Sequence, residues 1–225
     1  MKALITLASL LTLTSSLSAE VVFLLVRHGE TDWNAAGRIQ GQTNIPLNEI
    51  GKQQAEKAAE KLFCNFPNIN AIYSSDLSRA YGTASATATK FQLPITTRTA
   101  LREINTGVLE GMTKQEKNAA FGDKYKELDA KYPNRRERWS YTPVPGEETI
   151  NQLITRVKNE LVDIAKRHPN QTVAVFTHGK VIQSLIADLE DCDLLSIEVP
   201  NTAIVTLSYS AEASQKPFKV LKIDH

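Results

Sequence analysis

The sequence contains 225 residues, of which 42% are hydrophobic and 23% are charged. This length suits one globular domain, or one domain with an inserted lobe, and the composition excludes wholesale disorder. Lys and Arg number 26 against 25 Asp and Glu, which argues against a nucleic-acid binder that relies on a basic overall field, so any anion must be bound by a few placed cations.

The first 19 residues have the pattern of a secretory signal peptide. Met1 and Lys2 precede an uncharged stretch, residues 3–19, that is rich in leucine and ends in small residues. We therefore expect export to a secreted or periplasmic location, with residues 20–225 forming one domain and with no stable membrane association after cleavage. A retained membrane anchor and a cytosolic helix are the alternatives.

Export changes the interpretation of the two cysteines. They are too few for a disulfide-framework fold. In an oxidising compartment, however, Cys64 and Cys192 could pair with each other. The alternative interpretation is that both are small, buried hydrophobic residues.

After residue 20, short apolar runs alternate with helical patterns. The runs at 21–26 and 173–176 are wholly apolar, as in strands that are buried on both faces of a sheet. Where apolar residues recur at steps of three and four, the pattern predicts helices. In chain order we predict a strand at 21–26, a helix at 48–66, a strand at 71–73, a helix at 76–90, a strand at 94–97, a helix at 149–168, a strand at 173–176, a helix at 181–189 and a strand at 203–207. This alternation predicts an α/β fold of three layers, in which a mostly parallel sheet is flanked by helices.

The stretch before the predicted helix at 149–168 is less regular. We predict an irregular or helical cap excursion over about residues 102–146, inserted between elements of the sheet and able to cover a cleft. It contains Arg135, Arg136 and Arg138. These arginines are interpreted as a solvated charged face, or alternatively as a site that recognises the far end of a substrate.

Two predicted strands run directly into a His-Gly pair. The strand at 21–26 continues into Arg27-His28-Gly29, and the strand at 173–176 into Thr177-His178-Gly179. Because ligands of open α/β sheets bind beyond the carboxyl ends of strands, both histidines should lie at the same edge. Each glycine lets the backbone approach a ligand closely. A metal site would need a third His, Asp or Glu at ligand spacing, and since the sequence offers none, no metal site is predicted.

Arginines and two histidines together suit phosphoryl transfer. Arg presents a planar fork that matches phosphate oxygens. A neutral His can attack phosphorus and carry the phosphoryl group, a second, protonated His can stabilise the equatorial oxygens, and a nearby acid can protonate the leaving alkoxide. The remaining histidines are interpreted as incidental, since His168 ends a predicted helix and His225 is terminal.

Six sequence blocks follow one another along the chain. They are RHGETDWN (27–34), GRIQGQTNIPLNEIGKQQA (37–55), SSDLSRAYGTA (74–84), LREINTGVLEG (101–111), VPGEET (144–149) and THG (177–179). In this order the blocks resemble the histidine phosphatase superfamily, in the branch that includes cofactor-dependent phosphoglycerate mutases and many small phosphatases. The resemblance covers nearly all of residues 21–210 and implies a phosphoglycerate mutase-like fold.

The resemblance implies a role for each of five residues. His28 would be the nucleophile that becomes phosphohistidine. Arg27, Arg79 and His178 would form the phosphate pocket around it. Glu103 would donate a proton to the leaving group, and Glu110 is the alternative donor. No cofactor is expected.

The resemblance also implies residues that line the substrate pocket. They are Asn34, Gln40, Gly41 and Gly179. Gly179 stands where the branch that resembles classical acid phosphatases has Asp, which favours the mutase-like branch. Asn34 could instead only cap a turn.

These features predict a phosphomonoesterase that hydrolyses a small phosphorylated metabolite, with water accepting the phosphoryl group from His28. A cofactor-dependent phosphoglycerate mutase and a non-catalytic module that binds phosphorylated ligands are the alternatives. Mutases usually carry a longer excursion between Glu103 and His178, and a binding module would be expected to lack a catalytic group. The sequence indicates no oligomeric state.

Overall fold

The structure is a computed structural model that describes residues 20–213 and 215–224. The predicted signal peptide, residues 1–19, and His225 therefore lie outside the described residues. Six strands are described: β1 (Glu20–Arg27), β2 (Ile69–Ser74), β3 (Ile95–Thr97), β4 (Thr172–Thr177), β5 (Ile204–Ser210) and β6 (Phe218–Asp224). The α-helices of the same residues are α1 (Asp32–Ala35), α2 (Glu49–Asn65), α3 (Ser78–Phe91), α4 (Lys114–Lys131), α5 (Arg135–Arg138), α6 (Ile150–Arg167) and α7 (Gly179–Leu189).

The strands form one sheet in the order β3-β2-β4-β1-β5-β6. β1 pairs in parallel with β4, β4 with β2, and β2 with β3. β5 runs antiparallel to both of its neighbours, β1 and β6. The mostly parallel sheet expected from the sequence is thus confirmed, with β5 as the reversed strand.

Helices cover both faces of the sheet. Since successive residues of a strand point to opposite sides, a central strand contributes side chains to two separate clusters. In β1, Phe23 and Leu25 pack into one apolar cluster with residues of α6 and α7. Leu24 and Val26 pack into a second cluster with residues of α2 and α3. All four residues are at most 1% exposed. This double burial accounts for the wholly apolar run and confirms the three-layer α/β arrangement.

Side-chain caps set the starts of the two longest predicted helices. Asn48 accepts a hydrogen bond from a backbone N–H in the first turn of α2, and Thr149 and Gln152 form a capping box at the start of α6. The predictions at 48–66 and 149–168 include the capping residues, so each predicted helix is one residue longer at each end than the observed helix.

The excursion is more regular than the sequence predicts. It contains α4, which has 18 residues and begins with a capping box between Thr113 and Glu116. None of the described residues of α4 is buried, so residues 114–131 lack the apolar stripe that reveals a helix. β6 was also not predicted, because this edge strand leaves most of its side chains exposed.

The two cysteines are free thiols in the structure. Cys64 is exposed and Cys192 is half-buried. The disulfide considered for an oxidising compartment is therefore not formed, and Cys64 is not the buried hydrophobic residue of the alternative interpretation. As for membrane insertion, no helix within residues 20–213 and 215–224 is both long and apolar enough to cross a bilayer.

Candidate active site

The carboxyl ends of β1 and β4 bring His28 and His178 together. The strands are in register at Arg27 and Thr177, and the N–H of His28 donates to the carbonyl of Thr177 at 3.0 Å. The two imidazole centroids are 5.2 Å apart. Both residues are buried, with exposed fractions of 3% and 0%. The two His-Gly pairs thus share one edge of the sheet.

His28 is held in the tautomer that a nucleophile needs. Its Nδ1 lies 2.7 Å from the carbonyl oxygen of Gly29. Because a carbonyl can only accept, Nδ1 carries the proton and Nε2 carries the lone pair. Burial lowers the pKa of His28 well below its usual value, and the charges of Arg79 and Arg27 lower it further. The imidazole is therefore neutral near pH 7.

Arg79 is a fully buried guanidinium fixed by backbone carbonyls. From α3, its Nη1 donates to the carbonyl of Thr43 at 2.8 Å, and its Nη2 donates to that of Gly41 at 2.7 Å. Burial lowers the pKa of Arg79 to about 10, while the negative charges of Glu103 and Glu110 oppose the decrease. The side chain is therefore a cation at neutral pH.

The pocket contains buried polar atoms that have no partner among the described residues. They are Nε of Arg27, Nε of Arg79 and both ring nitrogens of His178. The Nη1 of Arg27 is already used, since it donates to the carbonyl of Val199 at 2.5 Å. Because buried donors are normally satisfied, these atoms indicate a site for an acceptor-rich ligand such as an oxyanion. Within residues 20–213 and 215–224, no group of three or more His, Cys, Asp or Glu is placed to hold a metal ion.

The charge of His178 differs from the sequence-based expectation of a protonated ring. Burial lowers the pKa of His178 well below its usual value, and the charge of Arg79 lowers it further. The ring is therefore neutral in the protein alone. A bound dianion would offset the neighbouring positive charges and stabilise the protonated ring. We therefore expect a protonated His178 in the complex with substrate and a neutral His178 in the protein alone.

Glu103 lies beside the pocket and is held by backbone N–H groups. Its Oε1 accepts from the N–H of Ile104 at 2.9 Å, and its Oε2 accepts from the N–H of Lys180 at 3.1 Å. Its negative charge opposes the decrease that burial causes in the pKa of Arg27. With Arg27 and Gly179 it lines a cavity of about 500 Å³. A carboxyl group in this place can deliver a proton to a leaving group bound in the pocket.

Glu110, the alternative proton donor, has a different environment. Its Oε1 accepts from the N–H of Gln42 at 2.7 Å, and its Oε2 accepts from the hydroxyl of Thr43. It thereby fixes the turn whose carbonyls bind Arg79. Gly41 adopts a φ of +52° in this turn, and a Cβ there would lie 2.2 Å from Oε1 of Glu110. The geometry favours a positioning role for Glu110.

The other residues expected at the substrate pocket have distinct surroundings. Asn34 forms a capping box with Thr31 at the start of α1, as in the turn-capping alternative. Gln40 is 8% exposed, and its buried Oε1 has no partner among the described residues. Gly179 lies against Arg27, since a Cβ there would be 3.2 Å from Nε. The absence of a side chain thus lets the start of α7 approach this guanidinium closely.

The three arginines of the excursion are paired with acidic residues. Arg135 contacts Asp191 at 2.8 Å, and Arg136 contacts both Asp188 and Asp191. Arg138 pairs with a carboxylate of α4 at 2.5 Å. These pairs hold α5 against α4 and against the end of α7. The arginines are therefore anchors of the excursion, and neither earlier interpretation describes them fully.

Arg156, for which the sequence indicated no role, fixes the segment that carries Glu103. From α6 it pairs with Glu148 at 2.6 Å. It also donates to the carbonyls of Ala100, Arg102 and Glu103 at 2.7, 2.8 and 3.0 Å. The sequence feature that could have indicated this role is its partner Glu148, which lies in the VPGEET block.

Known proteins are similar to this chain over most of its length. The family model of the histidine phosphatase superfamily (branch 1) matches residues 23–217. Phosphoglycerate mutase-like protein 4 from Arabidopsis thaliana is 38% identical over 169 residues, which are 74% of this chain and 69% of that protein. Metal-independent phosphoserine phosphatase from Arabidopsis thaliana is 39% identical over 171 residues, which are 72% of this chain and 66% of that protein. A mutant phosphoserine phosphatase from Entamoeba histolytica, solved in complex with phosphoserine, is 27% identical with a TM-score of 0.75, covering 91% of this chain and 96% of that one.

Proposed function

The chain belongs to branch 1 of the histidine phosphatase superfamily, and on that premise we propose that it is a phosphomonoesterase that hydrolyses a small phosphorylated metabolite through a phosphohistidine on His28. The observation that carries the proposal is the set of unpaired buried donors beside the neutral imidazole of His28. These donors suit the oxygens of a phosphoryl group next to a nucleophile. The phosphoserine phosphatases among the similar proteins support a small phosphorylated substrate.

In the first step, Nε2 of His28 attacks phosphorus and the bond to the ester oxygen breaks. Arg27 and Arg79 bind the phosphoryl oxygens, and His178, protonated in the complex, stabilises their charge in the transition state. Glu103 takes up a proton from solvent as the substrate binds and gives this proton to the departing alkoxide. The step leaves free alcohol, phosphohistidine and the carboxylate of Glu103.

In the second step, water attacks the phosphohistidine. The carboxylate of Glu103 accepts a proton from the water as the P–N bond to His28 breaks. The electron pair returns to Nε2, inorganic phosphate leaves, and Glu103 is again protonated. Nδ1 keeps its proton throughout, because the carbonyl of Gly29 holds it.

Trapping of a phosphoenzyme tests the proposal. Rapid alkaline quenching with radiolabelled substrate should leave label on the wild type and on His168→Gln. His28→Ala should carry no label and show no turnover. His168 is a matched control because it lies at the end of α6, bonded to Tyr73 and Gln171. Label on His28→Ala would refute the assigned nucleophile.

We further propose that hydrolysis needs no metal ion. The positive charge that stabilises the transition state is assigned to Arg27, Arg79 and His178, and one similar protein is named a metal-independent phosphoserine phosphatase. Treatment with EDTA should therefore leave kcat/KM unchanged. A loss of activity that Mg²⁺ or Zn²⁺ restores would contradict this assignment.

Phosphoglycerate mutase activity is a second candidate, because one similar protein has a mutase-like name. In that reaction the phosphoryl group of His28 would return to a bound phosphoglycerate. Isomerisation of phosphoglycerate in the presence of bisphosphoglycerate, measured against phosphate release, separates the two activities. Phosphate release without isomerisation supports the phosphatase, and turnover of any aryl phosphate excludes the non-catalytic binding module.

We also propose that residues 1–19 direct export and are then removed. The support is the uncharged, leucine-rich stretch after Lys2. Expression of the full chain in a bacterial host, followed by cell fractionation and mass measurement, should find a shortened protein outside the cytosol. A full-length protein confined to the cytosol would contradict export.

A further inference from the structure

A second cavity, of about 510 Å³, is lined by residues of the excursion, by the start of α6, by Lys180 in the first turn of α7 and by residues after α7 that include Leu195. Its wall includes Ile104, which follows Glu103 in sequence, and Lys180, which also lines the cavity that contains Arg27 and Glu103. Ligand sites commonly have volumes of roughly 300–1,000 Å³, so this space far exceeds the need of a phosphoryl group alone. Because Lys180 lines both cavities, this space adjoins the cavity that contains Arg27 and Glu103 and can receive the alcohol part of a phosphomonoester.

Much of the wall of this cavity is apolar or aromatic. Leu109 and Trp139 contribute buried surface. Tyr141 and Leu195 contribute surface that is exposed, at 41% and 82%. Large exposed apolar side chains at the rim of a cleft are typical of ligand-binding grooves. The wall therefore favours a ligand with an apolar or aromatic body.

Two lysines in the same wall form no ion pair within residues 20–213 and 215–224. Lys180 donates from Nζ to Oε1 of Gln183 at 2.6 Å. The Nζ of Lys117, on α4, lies 4.2 Å from the ring centroid of Tyr125. Burial lowers the pKa of Lys180, the negative charges of Glu103 and Glu147 oppose the decrease, and the positive charge of Lys117 adds to it. Both lysines line the same cavity, and two positive charges that face one cavity repel each other.

The acidic residues of the cavity already have partners. Glu147 accepts from two hydroxyl groups, Glu148 and Asp129 are each paired with an arginine, and Asp193 accepts from a backbone N–H. The arginines of the wall are paired with carboxylates as well. Lys117 and Lys180 are thus the cations of this wall that an anionic ligand can reach without breaking an ion pair.

On the basis of the proposed phosphomonoesterase function, we propose that Lys117 and Lys180 bind a second anionic group on the alcohol part of the substrate, while its apolar or aromatic body fills the cavity. An anion between the two ammonium groups replaces their repulsion by charge-assisted hydrogen bonds. The substrate class is therefore a phosphomonoester whose alcohol or phenol carries a carboxylate or a further phosphate. Both lysines act on the leaving group and leave the phosphoryl pocket to the histidines and arginines.

The test uses two esters that differ in one charge: 3-(4-phosphonooxyphenyl)propanoate and its carboxamide. Two methylene groups insulate the end group from the phenol, so the leaving groups are chemically matched. The wild-type kcat/KM for the acid should exceed that for the amide by at least about tenfold, the factor given by one charge-assisted hydrogen bond. This ratio should fall towards one in Lys117→Gln and in Lys180→Gln. It should keep its wild-type value in Lys126→Gln, which removes an exposed lysine of α4 that is paired with Asp123.

Each ratio compares two substrates on one protein sample, so a smaller folded fraction does not change it. A wild-type ratio near one, or an unchanged ratio in both cavity variants, overturns the proposal while the phosphatase function stands. Hydrolysis of phenyl phosphate without hydrolysis of either longer ester also overturns it, because the cavity then does not admit the body. Failure to hydrolyse even phenyl phosphate refutes the proposed function itself. An ester that carries phosphonate in place of the carboxylate identifies, by the higher kcat/KM, which anion the lysines prefer.

Discussion

Arg79 is held by a series of contacts that begins at Glu110. The carboxylate of Glu110 fixes Gln42 and Thr43, and the carbonyls of Gly41 and Thr43 fix the guanidinium. Catalysis by charge stabilisation depends on donors that already point at the reacting group before the substrate arrives. Both substrate binding and the transition state should therefore depend on a carboxylate that does not touch the substrate.

Replacement of Glu110 by Gln tests this dependence. An amide cannot accept at both of its terminal atoms, and a lost hydrogen bond to a charged group corresponds to roughly 1.5–3 kcal/mol, so kcat/KM should fall about tenfold or more. The inhibition constant for inorganic phosphate should rise in parallel, and good and poor leaving groups should suffer alike.

Glu103→Gln provides the comparison for this variant. It should impair poor leaving groups most and leave phosphate inhibition nearly unchanged, because it removes the proton donor and keeps the pocket. If the loss in Glu110→Gln depended on the leaving group instead, Glu110 would be the proton donor and its positioning role would be wrong.

The two buried histidines should make stability depend on pH. Burial lowers the pKa of both His28 and His178, so below about pH 6.5 the unfolded chain binds protons that the folded protein does not bind. The stability due to the neutral rings is therefore complete above this pH and is lost as the pH falls towards the lowered pKa values. Between pH 7 and 5.5, the free energy of unfolding measured with urea should fall by up to about 1.4 kcal/mol per pH unit for each histidine. His178→Gln should reduce this slope, and an unchanged slope would contradict the account.

At the scale of elements, α6 both covers the sheet and positions the site. Its apolar face packs in the core, and its Arg156 binds the carbonyl of Glu103. Thr149→Ala removes the side-chain cap and should lower the free energy of unfolding by about 1 kcal/mol. Thr155→Ala is the matched control, because this exposed hydroxyl bonds only to the carbonyl of Asn151 within the helix and should change stability little. Equal urea midpoints for both variants would show that the cap does not stabilise α6.

The sequence predicted those elements that have one face in the core. α2 and α6 have caps and an apolar stripe, and β1 and β4 are apolar on both sides, so their positions follow from local patterns. α4 has no buried face, and its contacts outside the helix are polar, such as the hydrogen bond from the Tyr125 hydroxyl to Glu147 and the pair of Asp129 with Arg138. Such an element depends on surroundings that a local pattern does not contain.

At the scale of the whole molecule, the sequence predicted a site residue where that residue directly follows a recognisable strand or lies in a block that resembles the family. His28 and His178 end strands whose burial the sequence reveals, and Arg79 and Glu103 lie in blocks that resemble a family. Lys180 was not predicted, because its place depends on how the excursion lies against α7. The positioning role of Glu110 was not predicted either, since its partners lie on a turn that is distant in the sequence.

The pairing of β1 with β4 brings together two segments that are far apart in the sequence. A fragment that stops before residue 178 lacks one imidazole, and a chain whose β4 has not yet inserted cannot hold the rings 5.2 Å apart. Recovery of turnover during refolding therefore reports completion of the central sheet, a slow, non-local event, and not the formation of any single segment. A nascent polypeptide therefore cannot catalyse the reaction until His178, about four fifths of the way along the 225 residues, has left the ribosome.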